Sequence, residues 1–485
     1  MAKSKAKSKA ATGSPKLTVQ SRYDAAGNGR RMRGWRAPSS GPNRAVEGLT
    51  TIRNRARDAQ RNEWSGASSG RVWTTNLIGT GIVPRPRTTD PNFKAALVAL
   101  WDTWVPQADA DGVLDFYGLQ TLATRTWIAS GEIFMRLRSR RSEDGLAVPL
   151  QVQLLEPDMV PLLDVDSYHG LPMGNRIRSG IELDKLGRRT AYWMYREHPG
   201  DRPSGIVLAS QLTRVPAAVV RHIYEPLRPG QLRGVSDYAP ILARLRGVMD
   251  FDDAVLERQK LANLFTLFIT RGGLSGDPDL NPITGLPTEH DNSGAPIAAL
   301  EPGISQELLP GEDVKFSDPP DAGANYADFM RHQHLGVAAG QGTPYELMTG
   351  DIKDVSDRTL RVIISEFRRY CEQRQWQIII PLLCQPIRDA WAESAALDGS
   401  LTAAQAVEAK RVTWSPQGWA YIHPTQDVQA KKMEVDAGFK SRSQIITERG
   451  DDPDEVDAQR SADSKRADLL ELGPKIPPAN TPEGG

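Results

Sequence analysis

The chain has 485 residues, 39% of them apolar and 25% charged, and its formal net charge is zero. That composition excludes a disordered chain and leaves room for a substantial core spread over two or three structural regions. The neutrality conceals an asymmetry: residues 1–90 hold 18 Lys and Arg against 5 Asp and Glu, an excess of +13 that the remainder balances with −13. Such a distribution suits a basic arm for an acidic partner, joined to a body that tolerates polyanions without gripping them; a merely solvated tail is the other reading.

Cys371 and Cys384 imply neither a disulfide framework nor a zinc site. Met1–Lys16 alternates Lys with Ser and Ala and has no apolar segment, so no secretory signal is expected. The longest apolar stretch, Leu261–Ile269, is broken by Asn263 and Thr266 and falls far short of the roughly twenty residues that cross a bilayer. No membrane contact is expected.

The first predicted helix is Arg44–Glu63, made strongly basic by Arg44, Arg53, Arg55, Arg57 and Arg61; a contact with a partner and a charged surface helix are equal readings of it. Ser65–Gly70 reads as a Gly/Ser break. Helices follow at Pro91–Trp104 and Leu119–Trp127, then a strand at Ile133–Arg138. From Leu150 to Tyr224 the pattern changes to short β-rich runs, including Gln151–Leu155, Thr190–Tyr195 and Val219–Tyr224, which gives an α+β body.

A long helical pattern runs from Tyr238 to Phe268, with an apolar stripe at Ile241, Leu245, Val248, Phe251, Val255 and Ala262, and with Asp250, Asp253, Glu257, Arg258 and Lys260 on other faces. Gly272–Pro320 is rich in turn residues, and a helix returns over Asn325–Ala339. Tyr345–Asp357 reads as a polar loop, followed by a long helix from Arg358 that Pro381 and Pro386 should kink or divide. Val412–Ile422 is strand-like, Gln426–Leu472 is helical and charged, and Gly473–Gly485 is a loose tail.

The chemical motifs are mostly missing. There is no Gly-Lys dipeptide, hence no phosphate loop of an ATPase. The Gly66-x-Ser68-x-Gly70 pattern lacks the preceding strand that a hydrolase elbow needs and is expected to be a loop. His332 and His334 stand two apart on a helix and so point about 200° away from each other, which argues against a metal site with Asp328. Asp250, Asp252 and Asp253 read as a solvated helix face rather than nuclease carboxylates. A non-enzymatic protein without cofactor or metal is expected.

Against this background, Arg228-Pro-Gly-Gln-Leu-Arg-Gly-Val-Ser236 followed by Ala239-Pro240 resembles the signature of the lambda-type tailed-bacteriophage portal family. Arg22-Tyr-Asp-Ala-Ala26, Gly79-Thr-Gly-Ile82, Pro344-Tyr-Glu-Leu-Met-Thr-Gly-Asp351, Glu366-Phe-Arg-Arg369 and Trp414 to Trp419 resemble family landmarks in the expected order. Two segments depart from the pattern: Asp354-Val-Ser-Asp357 where an Asn-Tyr-Ser-Ser-like run is usual, and His423-Pro-Thr425 in place of an Asp-Pro-Lys-like one.

The resemblance implies a phage portal fold, assembled as a dodecameric ring around a central channel, with a basic arm at 1–21, a wing at 22–237 and a descending stem helix at 238–271. A clip at 272–320, a returning stem helix at 321–341 and a tunnel loop at 342–357 would follow, then a long kinked helix with wing strands at 358–425, crown helices at 426–472 and a tail at 473–485. Implied partners are double-stranded DNA, the terminase large subunit, a head-tail adaptor, the major capsid protein and scaffold; the implied location is the portal vertex of the virion, after assembly in the host cytoplasm. On that reading Asp250, Asp253 and Glu257 supply negative stem surface, Lys353 and Arg358 make sparse contacts with DNA, and Val248 and Val255 lie between subunits. The rival classes are a DNA-processing enzyme of the packaging machinery and a monomeric nucleic-acid-binding adaptor, the latter expected to carry a concentrated basic face.

Overall fold

The computed structural model describes residues 40–44, 48–201, 212–264, 268–271, 312–315, 325–353, 355–419 and 424–470. The expected arm at 1–21, the tail at 473–485 and nearly all of 272–320 lie outside them.

Helices α1 (Leu49–Asn62) and α2 (Trp64–Leu77) come first. The Gly/Ser break expected at Ser65–Gly70 is instead part of α2. Packing overrides weak helix propensity here, because these glycines sit where no side chain fits. A Cβ on Gly66 would lie 2.7 Å from the Ala59 carbonyl oxygen, and one on Gly70 would lie 2.7 Å from the Tyr238 hydroxyl. With helix on both sides of it, Ser68 occupies no nucleophile elbow; its hydroxyl donates to the Met348 carbonyl at 2.6 Å.

β1 (Val83–Pro86) leads to α3 (Pro91–Trp104), whose start is fixed by Asp90 accepting from the amides of Asn92 and Phe93. α4 (Phe116–Ser130) ends at Gly131, and β2 (Glu132–Ser139), β3 (Leu150–Leu155), β4 (Arg176–Arg178), β5 (Ile181–Leu183), β6 (Arg189–Met194), β7 (Thr213–Pro216) and β8 (Val220–Tyr224) follow. They form two antiparallel sheets, ordered β3-β2-β8 and β4-β5-β6-β7. Phe134, Val160, Ile181, Tyr192, Val215 and Val220 fill one core cluster. The larger cluster gathers Trp73, Trp101, Trp104, Trp127 and Trp391 with Leu77, Ile128, Ile379 and Leu383.

The helix expected over Tyr238–Phe268 is α5 (Leu242–Leu264), and Phe268–Arg271 is a strand, β9. Pro240 disfavours helix at the residue before it, which delays the start; β-branched Ile269 and Thr270 suit the strand. β9 pairs antiparallel with β10 (Glu312–Lys315). The return helix is α6 (Tyr326–Gln341), ending at Gly342 with φ 72°. Within the expected loop, Tyr345–Thr349 forms a short helix, α7, opened by Pro344 and closed by Gly350 at φ 74°.

α8 (Asp357–Arg374) continues without interruption through a π-helical stretch, Gln375–Cys384, into α9 (Gln385–Asp398). Pro381 lies inside the π stretch and Pro386 in the first turn of α9, so both prolines fall where the helix changes type between α8 and α9. Widening the turn removes the clash that a proline ring makes in an α-helix. After α10 (Ala403–Ala409), the strand β11 (Val412–Ser415) pairs with β1. The chain closes with α11 (Pro424–Asp436), α12 (Arg442–Glu448) and α13 (Pro453–Leu469). Lys94 of α3 pins the start of α13 through Asp452 at 3.1 Å and Asp454 at 2.6 Å.

Candidate functional site

The α5/α6 pair is held at its base by small residues. A Cβ on Gly340 would stand 2.5 Å from Ile241 Cγ2, and one on Gly336 would stand 2.1 Å from Arg244 Nη1. Farther along, Phe251 packs on Phe329 with ring centroids 4.9 Å apart and stacks on Tyr326 at 6.3 Å. The Tyr326 hydroxyl donates to Asp252. Of the apolar stripe, Ile241, Leu245 and Val248 are buried, Val255 is half-buried and Phe251 is exposed, while the Ala262 side chain lies outside the described residues; Leu256 of α5 and Phe329 and Leu335 of α6 are exposed as well.

Two of the three carboxylates expected to make α5 acidic have a cation beside them. Asp250 pairs with Arg246 at 2.7 Å and Glu257 with Lys260 at 2.9 Å, while Asp253 is exposed. Arg246, four residues before Asp250, and Lys260, three residues after Glu257, sit on the same helix face as their carboxylates. Val248 is 6% exposed, so it serves the interior of the chain; Val255 is half-buried.

Besides the Ser68 bond to the Met348 carbonyl, the 342–357 loop is tied down by one residue of α6. Arg331 of α6 reaches Asp351 Oδ2 at 3.4 Å, donates to the Lys353 carbonyl at 3.2 Å and lies over the Tyr345 ring. Asp351 also accepts from the Lys353 amide at 3.0 Å and the Tyr345 hydroxyl at 3.1 Å. The Lys353 amide, then the Tyr345 hydroxyl and Arg331, hold the Asp351 carboxyl below its ordinary pKa. With the backbone so fixed, Ile352, Lys353 and Arg358 are exposed, and neither cation has an ion-pair partner among the described residues. Ser356 caps α8 by accepting from the Thr359 amide, which orients Arg358 at the helix start.

A buried charge cluster that the sequence reading missed joins α1, β2 and β8. Glu132, at the first position of β2, is wholly buried. Its Oε1 accepts from Arg53 Nη2 and Arg233 Nε, both at 2.8 Å, and its Oε2 accepts from the Gly234 amide at 2.8 Å. Arg233 also donates to the carbonyls of Val160, Ser179 and Pro157, so it bolts the two sheets together.

His222 Nε2 lies 2.8 Å from Glu132 Oε2, and Arg189 donates to His222 Nδ1 at 3.0 Å. Since Nδ1 must accept, the imidazole is neutral with its proton on Nε2, donated to Glu132. Burial drives His222 down to about 4. Burial opposes ionisation of Glu132 as well, but Arg233, His222 and Arg53 outweigh it and keep the carboxyl well below the usual range.

Two elements of the 228–236 motif therefore have structural work. Arg233 supplies the bolt. Gly234 and Gly131 allow the motif to cross the α4–β2 junction: a Cβ on Gly234 would stand 2.0 Å from the Gly131 carbonyl oxygen, and one on Gly131, at φ 85°, would stand 2.2 Å from the Val235 carbonyl carbon. Just after the motif, Asp237 pairs with Arg374 at 2.6 Å, and Arg374 also reaches Glu225 at 2.9 Å and covers the Trp73 ring. The motif is thereby fastened to the end of α8.

The arginine-rich first helix divides its side chains. Arg53 is inside the cluster and Arg57 pairs with Asp158 at 2.7 Å, while Arg55 and Arg61 are exposed. The signal for this was available in principle, since Arg53 falls on the same face as apolar Leu49 and Ala56. What could not be read was the carboxylate, which lies 79 residues away.

Among the described residues, His332, His334 and Asp328 do not converge; His334 is buried against Trp64 with centroids 4.7 Å apart. Glu156, Asp158 and His198 do come together. Arg57 already stands 3.1 Å from Glu156 and 2.7 Å from Asp158, supplying the positive charge that a metal would bring.

The profile of the family described as phage portal protein, lambda family, matches residues 28–375. The chain is 28% identical over 435 residues to the "Probable portal protein" of Halomonas phage phiHAP-1, covering 86% of this chain and 80% of that one. It is 22% identical to the portal protein of Escherichia phage N15, over 92% of this chain and 90% of that one, and 20% identical to portal protein B of Escherichia phage lambda, over 90% and 87%. Among solved structures, a chain from the neck of a native gene transfer agent particle computed with C12 symmetry aligns over 86% of this chain and 96% of its own, with 14% identity and a TM-score of 0.47.

Proposed function

This chain belongs to the lambda family of phage portal proteins, and from that premise we propose that it closes into a dodecameric ring at one capsid vertex and conducts duplex DNA during packaging and ejection. On this reading α5 and α6 are the stem, residues 342–357 the tunnel loop, the stretch between β9 and β10 the clip, and α11–α13 the crown. The clip side takes the terminase large subunit during packaging and a head-tail adaptor afterwards, while the wing meets the major capsid protein and scaffold. Assembly takes place in the host cytoplasm.

The observation that carries the reading is the junction of α6 with the loop. Arg331 spends its charge on Asp351 and leaves Lys353 and Arg358 exposed at the loop and the start of the next helix. A sliding duplex requires sparse cations, because a wall dense in Lys and Arg would release many counterions and hold the DNA. A closed ring requires a face that repeats head to tail, and the exposed Phe251, Leu256, Phe329 and Leu335 offer apolar area for it.

Single-particle imaging of the purified chain, with mass measurement, tests this. Closed rings with an axial hole of roughly 20 Å or more, wide enough for a duplex, are the expected result. A monomer that persists and shows nuclease or ATPase activity overturns it in favour of a packaging enzyme, and a monomer that binds DNA through a concentrated basic face does so in favour of an adaptor.

A further inference from the structure

We infer that one face of the β3-β2-β8 sheet is a docking surface for nucleic-acid phosphate, formed by Arg136, Arg138 and Arg140. These residues alternate along β2 and its continuation, where the Arg140 amide still bonds the Pro149 carbonyl at 2.9 Å, so all three leave the sheet on the same side. Successive members are about 6.6 Å apart along the strand. Phe134 precedes them on that side and is covered by the second sheet; beyond it Arg136 and Arg138 are half-buried and Arg140 is exposed.

None of the neighbours across the strand is an acid. Arg136 lies opposite Gln153 and Val220, and Arg138 opposite Gln151. Arg138 Nε donates to Gln153 Oε1 at 3.0 Å and Arg140 Nε to Gln151 Oε1 at 2.7 Å. Among the described residues no carboxylate comes within ion-pair distance of the three. Of the nearest acids in sequence, Glu132 lies on the same face but is taken up by Arg53, Arg233 and His222, and Glu143 and Asp144 belong to the turn, where Asp144 caps the Arg141 amide.

A row of like charges about 6.6 Å apart along one strand, two of them half-buried and given only neutral acceptors, repels itself. Glutamate at 151 or 153 would cure the repulsion with almost no change in shape, and the sequence has glutamine at both places. Local rules broken without compensation are found where a function uses them. Arginine forks bind phosphate oxygens bidentately, and side-chain amides donate to them as well. An evenly spaced row fits a polymer with a repeating anion better than it fits the irregular acids of a folded protein surface.

The portal reading supplies only the identity of that polymer, duplex DNA. The patch belongs to different elements from the 342–357 loop, and a gripping surface suits DNA resting against the protein rather than DNA sliding through it.

The test uses the full-length assembly titrated with a short fluorescent duplex over a range of salt. R136Q/R138Q/R140Q is expected to weaken binding about tenfold or more and to reduce the salt slope by about 2 to 3. Q151E/Q153E, which keeps every arginine and supplies carboxylates internally, should weaken binding likewise while leaving the melting temperature unchanged or raised. Unchanged affinity and slope in both variants overturn the inference. If affinity is unchanged and ring formation is lost instead, the face is a subunit contact and the inference also falls. Because the readout is duplex affinity, it stands apart from the imaging that decides the portal reading.

Discussion

Arg233 Nε donates to Glu132 Oε1 at 2.8 Å with both side chains wholly buried, and the two residues stand 101 positions apart. The arginine belongs to the motif by which the family resemblance is first seen, and the glutamate is the first residue of the central strand β2. The motif therefore marks a structural joint between α1, β2 and the two sheets rather than a binding surface.

Removing one partner leaves an uncompensated buried charge. Arg233→Met is expected to destabilise the chain by about 3–5 kcal/mol, measured as a shift in denaturant midpoint. A midpoint unmoved by this substitution would show that the cluster contributes nothing to the fold.

The same cluster predicts a pH dependence. The folded pKa of His222, about 4, is depressed below its unfolded value near 6.5. Its contribution is therefore fully present above about pH 6.5 and is lost as pH falls towards 4, because the unfolded chain takes up the proton first. Unfolding midpoints should decline through that window in the native sequence and decline less in His222→Gln, which keeps a donor for Glu132.

Glycine substitutions should separate two kinds of close contact. At Gly131 a side chain meets fixed backbone and the residue already has φ 85°, so Gly131→Ala should cost at least about 2 kcal/mol. At Gly336 the obstacle is the far end of Arg244, which can turn away. Gly336→Ala should leave the melting temperature nearly unchanged, and thermal unfolding of the two variants compares them directly.

Val248→Asp and Val255→Asp should differ, because the first residue is buried inside the chain and the second is only half-buried. Val248→Asp lowers the melting temperature and impairs ring formation together. Val255→Asp impairs ring formation with little change in melting. Normal rings from Val255→Asp would remove that residue from the subunit interface.

Lys353→Gln with Arg358→Gln is expected to alter packaged DNA length or retention while rings still form, since both side chains are exposed and make no ion pair among the described residues. Unchanged packaging and retention would take the two cations away from the DNA.

Local patterns along the chain determined much of the architecture. The spacing of Leu97, Trp101 and Trp104, after Pro91, marks α3 with its observed bounds, and the β-rich runs between Leu150 and Tyr224 fall within a residue of β3, β6 and β8. Periodicity is a property of neighbours in sequence and can be read there. The order of short motifs likewise carried a resemblance to the family that the profile over residues 28–375 shows. Tertiary structure alone decided the rest. Ser65–Gly70 became helix because Ala59 and Tyr238 leave no space for side chains, and Pro381 entered a π turn because the surrounding Ile378, Ile379 and Leu383 are buried and keep the helix in place. Whether Arg53 faces water or Glu132 depends on which groups folding brings within a few ångströms. Electrostatic energy depends on that distance, and for Arg53 no local pattern in the sequence contains it.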